Sequence, residues 1–150
     1  MTTSIQATRN RVLVAVHRAL FRTSRGRLGA RLVGMDVVMI TTVGARSGKR
    51  RRTMLTVPVR DRGRLVLVAS NGGNPHEPDW CANLRADPEV EVMDSGRTAR
   101  MIATVATTEE KARLWPSVIA AYGGYADYQK RSPREIPLVL LAPGAPPRSP

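Results

Sequence analysis

Two stretches of this chain carry residue types whose spacing allows chemistry. The first is Gly44-Ala45-Arg46-Ser47-Gly48-Lys49, followed directly by Arg50, Arg51 and Arg52. Between Gly44 and Arg64 stand eight Lys and Arg residues against one acid, Asp61. A glycine-bounded turn can expose backbone N–H groups, Ser47 adds a hydroxyl, and guanidinium forks match phosphate and carboxylate geometry, so the stretch points to an anion site. A solvated basic hairpin is the alternative, and the two differ in what Gly44, Ser47 and Gly48 are for. The spacing excludes a nucleoside-triphosphatase phosphate loop. Three residues separate the glycines where four are needed, and Arg50 takes the Ser/Thr place after the lysine.

The second stretch is AYGGYADYQKR, which holds all three tyrosines of the chain, Tyr122, Tyr125 and Tyr128. If it winds as a helix, a spacing of three brings the rings to one face. There they form either a wall over a planar ligand, with phenols for proton transfer or hydrogen bonding, or ordinary packing against the domain. Gly123-Gly124 favours a kink at the approach to a site. Elsewhere the chemistry is sparse. His76 lies near Glu77 and Asp79, but solvated loop residues account for that trio better than a divalent metal. Ser70 has no histidine at a spacing that reads as a triad, leaving hydrolysis a weak option.

The formal net charge is +12, which raises nucleic acid, anionic membrane and acidic small molecules as partners. The charge is polarised: residues 1–35 carry seven arginines and no acid, whereas residues 77–94 hold six acids around Arg85. Aromatic residues do not interleave with the arginines and no zinc-finger, helix-turn-helix or RNA-recognition signature emerges, so a basic nucleic-acid module ranks below a specific anion site. A lone Cys81 excludes an intrachain disulfide framework and a cysteine-rich zinc site. No run approaches the roughly 20 apolar residues of a membrane span. Residues 1–10 lack the apolar core of a secretory signal, and cytoplasmic residence is expected.

These groups need elements to position them. Residues 5–22 read as a basic amphipathic helix, suited either to packing on the domain edge or to peripheral contact with the inner face of the plasma membrane; its small apolar residues favour packing. Residues 23–34 read as a loose connection. Strands are expected over residues 36–42, 52–59, 64–70, 89–93, 97–106 and 136–141, with hairpin turns at Asp61-Arg62-Gly63 and Ser95-Gly96 and an edge or bulge at Pro58. Residues 71–78 are a loop, after which Asp79 caps a short helix over residues 80–85. Thr107 and Glu110 have capping-box spacing ahead of a helix reaching about Ala121. The proline-rich tail, residues 143–150, reads as disordered. Six short strands with peripheral helices predict a mainly β (α+β) domain, a small antiparallel barrel over residues 35–142 preceded by an N-terminal arm, residues 1–34.

Taken together, residues 41–48, Arg52-Thr53, Val68-Ala69-Ser70-Asn71-Gly72-Gly73, Pro78-Asp79-Trp80, residues 83–88 and residues 122–129 resemble the deazaflavin-dependent nitroreductases, in the same order along the chain. That family is a branch of the split β-barrel reductases that use coenzyme F420. The resemblance implies a split barrel and hydride transfer from the reduced deazaflavin to a quinone, a nitroaromatic compound or a similar unsaturated acceptor; an FMN-binding reductase of the same fold is the alternative. It also implies roles: Arg46, Ser47, Gly48, Lys49 and Arg52 for the cofactor's phosphate and glutamate tail, Pro58, Ala69, Ser70, Asn71, Trp80 and Asn83 around the deazaflavin, and Tyr122, Tyr125 and Tyr128 at the acceptor.

The chain departs from the family pattern at three places. Ala45 stands where the family's first loop usually carries a basic residue, Asn71 where lysine is frequent, and Cys81 where Tyr or Phe usually follows the tryptophan. Arg50 and Arg51 offer electrostatic compensation. Near the deazaflavin, Ser70 has a hydroxyl that can donate a hydrogen bond to an acceptor oxygen, a catalytic role; the alternative is a structural serine ending a strand of a small barrel. Ser70→Ala is then expected to slow acceptor reduction more than it weakens cofactor binding, and turnover equal to wild type would contradict that role.

Overall fold

The structure, a computed structural model, describes residues 31–32 and 34–144. In chain order these form β1 (Arg31–Leu32), β2 (Met35–Val43), β3 (Arg50–Val57), β4 (Val59–Asp61), β5 (Arg64–Val68), a 3₁₀ turn (Asn71–Gly73), α1 (Asp79–Ala86), β6 (Glu89–Asp94), β7 (Arg97–Val105), α2 (Thr108–Ala121), α3 (Gly124–Arg131) and β8 (Leu138–Pro143). All described strand pairs are antiparallel and run in the order β1-β2-β6-β7-β8-β5-β4, with β3 also paired to β2. The helix expected over residues 5–22 and tail residues 145–150 lie outside the described residues.

The sheet curls because its two ends are covalently joined. β3 pairs with β2 and β4 pairs with β5, so Pro58 alone carries the chain from one region of the strand order to the other. Residues 52–59 were expected as one strand. Pro58 has no N–H to continue a ladder, and the strand breaks there into two. Arg60 of β4 reinforces the closure by donating to Asp36 of β2 and to Asp94 at the end of β6.

Alternation along the strands separates two cores. One face supplies Val38, Ile40, Leu65, Leu67, Val90, Val92, Val139 and Leu141 to the barrel interior, where α1 inserts Trp80, Cys81 and Leu84. On the other face of β5 and β8, Val66, Val68, Leu138 and Leu140 meet Leu114 and Val118 of α2 and Tyr125 of α3. Both faces of these two strands are therefore buried, which accounts for their unbroken apolar sequences. Full burial of each such side chain contributes about 1.5–3 kcal/mol. Cys81 is completely buried, and burial, with the Glu77 carboxylate, pushes its thiol up to about 12.

Several boundaries differ from the sequence expectation for local reasons. Arg31–Leu32 pairs with Met35 and Asp36, where a loose connection was expected. β5 stops at Val68 because the N–H of Ala69 donates to Pro137 instead of the ladder. β8 begins at Leu138, since the Ile136 N–H is taken by Gln129 and Pro137 has none. Pro78, not Asp79, occupies the cap of α1; Asp79 lies inside the first turn, where a carboxylate complements the helix dipole. The capping box is as expected, with Thr107 and Glu110 bonding reciprocally.

Asp61 ties the β4–β5 hairpin to α2: it accepts from Arg64 at 2.7 Å and from both terminal nitrogens of Arg113 at 3.0 and 2.9 Å. Arg113 foremost, then Arg64, hold its carboxyl well below the ordinary value of 3.8. A carboxylate with a lowered native pKa stabilises the fold above the unfolded-state value and loses that contribution as pH falls towards the native one. Thermal unfolding of wild type is therefore expected to weaken below about pH 4, with Asp61→Asn less stable at neutral pH and flatter over the acid range; parallel curves would contradict the linkage.

Candidate active site

Between β2 and β3 the chain makes a closed turn. Gly44 N–H donates to Lys49 O and Gly48 N–H donates to Gly44 O, each at 2.8 Å, and Lys49 N–H donates to Ser47 Oγ at 3.2 Å. Gly48 has φ +67°, a conformation that side chains with a Cβ rarely adopt. Asn83 of α1 holds the turn from below. Its Oδ1 accepts from Ala45 N–H at 2.9 Å while its Nδ2 donates to Thr42 Oγ1 at 3.2 Å. Asn83 is buried, so its side chain serves as a brace between loop, strand and helix.

With these bonds made, the backbone N–H groups of Arg46 and Ser47 have no partner among the described residues. Arg46 and Ser47 line a cavity of about 550 Å³ whose wall also includes Arg51, Arg52, Thr53, Asp79, Trp80 and Asn83. Neither Arg46, Lys49, Arg51 nor Arg52 pairs with an acid among the described residues. Arg50 differs, because its guanidinium donates to Glu91 on β6. The cavity thus offers two free amides, three unpaired guanidinium groups and an indole, against one carboxylate, Asp79. That donor set fits a phosphate or carboxylate attached to a planar group.

Of the residues singled out from sequence, Arg46, Ser47, Arg52, Trp80 and Asn83 line this cavity, and Gly48 and Lys49 complete its loop. Ala69, Ser70 and Asn71 stand at the end of β5. Ala69 is wholly buried in the same core cluster as Trp80, and its side chain is packing. Pro58 sits at the β3–β4 corner. Sequence reasoning counted Arg51 only as a compensating charge and passed over Thr53. The register supplies the missing signal: Arg51 pairs with Thr42 and Thr53 with Ile40, placing both on the face of β3 that continues the barrel interior.

The tyrosines do come together. Their ring centroids are 5.2–6.3 Å apart in edge-on pairs. A methyl on Gly124 would lie 2.4 Å from the Tyr122 ring, and one on Gly73 would lie 2.9 Å from the Tyr128 carbonyl, so close approach requires glycine at both. The second contact packs the Ser70–Gly73 turn against α3. Tyr125 is buried and its hydroxyl is 2.8 Å from Thr56 Oγ1 of β3. Burial raises the Tyr125 phenol, and a hydrogen bond with Tyr122 followed by burial pushes Tyr128 up to about 12. At neutral pH both phenols are protonated and can act as donors, not as bases. Among the described residues no group of three or more His, Cys, Asp or Glu is placed to hold a metal.

The family model for F420H(2)-dependent quinone reductase matches residues 13–143. The chain belongs to this family. An F420H(2)-dependent quinone reductase of Mycobacterium tuberculosis is 35% identical over 133 residues, covering 86% of this chain and 89% of that protein. Among solved structures, an F420-H2 dependent reductase, FDR-A, aligns with 37% identity and a TM-score of 0.63 over 70% of this chain and 92% of its own. A structure described as a domain-swapped dimer aligns with 30% identity and a TM-score of 0.66 over 93% of this chain and 98% of its own. The family's split β-barrel is the curled sheet seen here, and the chain is an oxidoreductase of the F420H(2)-dependent quinone reductase family.

Asn83→Ala removes the buried bond to Thr42 Oγ1 and the part-buried bond from the Ala45 N–H, at a cost of about 1–3 kcal/mol. A drop in unfolding free energy of that size, with faster amide exchange at Ala45, is the expected result. An unchanged stability and unchanged exchange at Ala45 would show that Asn83 does not hold the turn.

Proposed function

We propose that this protein reduces a quinone with coenzyme F420, and that the cavity under the residue 44–52 loop receives the acidic part of the cofactor. The carrying observation is the coincidence, at that cavity, of two free backbone amides with Arg46, Arg51 and Arg52, none of them paired to an acid among the described residues. The names of the relatives support F420 and quinone over FMN and a nitroaromatic acceptor. When bound, the reduced deazaflavin supplies the hydride.

In this reading Arg46, Ser47, Gly48, Lys49, Arg51 and Arg52 bind the phosphate and glutamate carboxylates through amide N–H, hydroxyl and charged donors. Trp80 packs beside the planar ring system, and Asn83 keeps the loop at the height those contacts need. Ser70 and Asn71 border the reacting region with Pro58 and the backbone of Ala69. The hydroxyl of Tyr128 or Tyr122 then donates towards the acceptor oxygen, where negative charge develops. Tyr125, with its hydroxyl shared with Thr56, orients the other two rings.

The test is oxidation of reduced F420 by a soluble quinone, with a nitroaromatic acceptor and FMN as controls. Wild type is expected to turn over with F420 and quinone, and the double variant Arg51→Gln, Arg52→Gln to raise the F420 dissociation constant at least about tenfold, or 1.4 kcal/mol. Turnover with reduced FMN alone, or an unchanged F420 affinity in the double variant, would contradict the assignment.

A further inference from the structure

Arg134 lies 64 residues after Ser70 in sequence, between α3 and β8, and no motif singled it out. Its Nη2 donates to Ala69 O at 3.0 Å, Ser70 O at 3.1 Å and His76 O at 3.4 Å, and its Nε donates to Asn74 O at 3.2 Å. One guanidinium therefore gathers four carbonyls from the segment that contains Ser70 and Asn71. The arginine is itself anchored: Gln129 of α3 donates from Nε2 to Arg134 O at 3.0 Å, and Lys111 of α2 donates to Gln129 Oε1 at 3.2 Å. Arg134 forms no salt bridge among the described residues, although its charge helps to lower the Glu77 carboxyl. Its direct hydrogen bonds all go to carbonyl dipoles.

The segment it holds has a demanding shape. Asn71, Gly72 and Gly73 all have positive φ, of 45°, 64° and 82°. Asn71 is the costly one, because its Cβ disfavours that region. Internal bonds from Gly73 N–H to Ser70 O, from Asn74 N–H to Asn71 O, and from Asn71 Nδ2 to His76 O define the turn, but none of them fixes it to the rest of the molecule. The Gly73–Tyr128 contact does so on one side, and Arg134 does so on the other.

We infer that Arg134 is a positioning residue, whose planar fork holds the residue 69–76 turn so that Ser70 and Asn71 face the bound cofactor and acceptor. The inference rests on the proposed function for the part Ser70 and Asn71 play. It rests on the four carbonyl contacts alone for the pinning. Lysine separates shape from charge at this position: an ammonium keeps the positive charge but cannot reproduce the planar fork that serves these carbonyls.

The test compares full-length wild type with Arg134→Lys and Arg134→Ala. Hydrogen exchange at Gly73, Asn74 and His76 is expected to accelerate at least tenfold in both variants while the strand amides of β5 and β8 stay protected. kcat/KM for quinone is expected to fall at least tenfold in both, and added guanidinium to restore part of the Arg134→Ala loss. Unchanged exchange in the turn would overturn the pin. Faster exchange with wild-type kcat/KM in Arg134→Lys would overturn the positioning role. Failure of wild type to bind F420 would instead sink the cofactor reading, and the catalytic half of this inference with it, leaving the exchange comparison to decide the pin.

Discussion

The buried carboxamide of Asn83 is the contact on which the site depends. Through one acceptor and one donor it joins α1, the end of β2 and the turn that follows, with bonds of 2.9 and 3.2 Å. The bond to Thr42 is buried, and in the low-dielectric interior it is hard to replace, because a polar group left alone there keeps the cost of its desolvation. Asn83 takes up the Ala45 N–H, and the turn's own bonds take up those of Gly44, Gly48 and Lys49. Arg46 and Ser47, which line the cavity, are then left with unpartnered amides. The proposed anion site uses what remains after the turn has satisfied itself.

The barrel supplies the second requirement, a fixed distance between unlike surfaces. β3 runs from the arginines beside the cavity to Thr56, which meets the hydroxyl of Tyr125. Ala69 and Trp80 share one core cluster. The basic loop and the tyrosine cluster thus hang on the same closed sheet, and the Pro58 corner with Arg60 bridging Asp36 and Asp94 keeps that sheet curled. Neither patch has to order itself when a ligand arrives, which spares the entropy that loose loops would lose.

Much of this was legible in the sequence where a local rule governs. Short apolar runs between turn residues marked the main strands, Ser95-Gly96 and Asp61-Arg62-Gly63 marked hairpins, and Thr107 with Glu110 marked the start of α2. The glycine-bounded basic loop was visible from glycine spacing and charge density before the family resemblance added the cofactor. What escaped depended on partners distant in sequence. Arg51 joins the cavity through a strand register, Arg50 is withdrawn from it by Glu91, and Arg134 reaches back over sixty residues to carbonyls that leave no sequence signal. The tyrosine spacing correctly foretold the cluster, yet only the structure shows that Tyr125 is buried in the core with its hydroxyl on Thr56.

The central claim is that the turn braced by Asn83 binds the acidic end of coenzyme F420. The most direct measurement is a titration of the isotopically labelled protein with oxidised F420, following the backbone amides of Arg46 and Ser47 and the indole N–H of Trp80 by NMR. Saturable shifts at all three with one dissociation constant are expected, and weaker or absent shifts with FMN. Saturable F420 binding that left Arg46 and Ser47 unmoved would contradict it and place the cofactor elsewhere on the barrel.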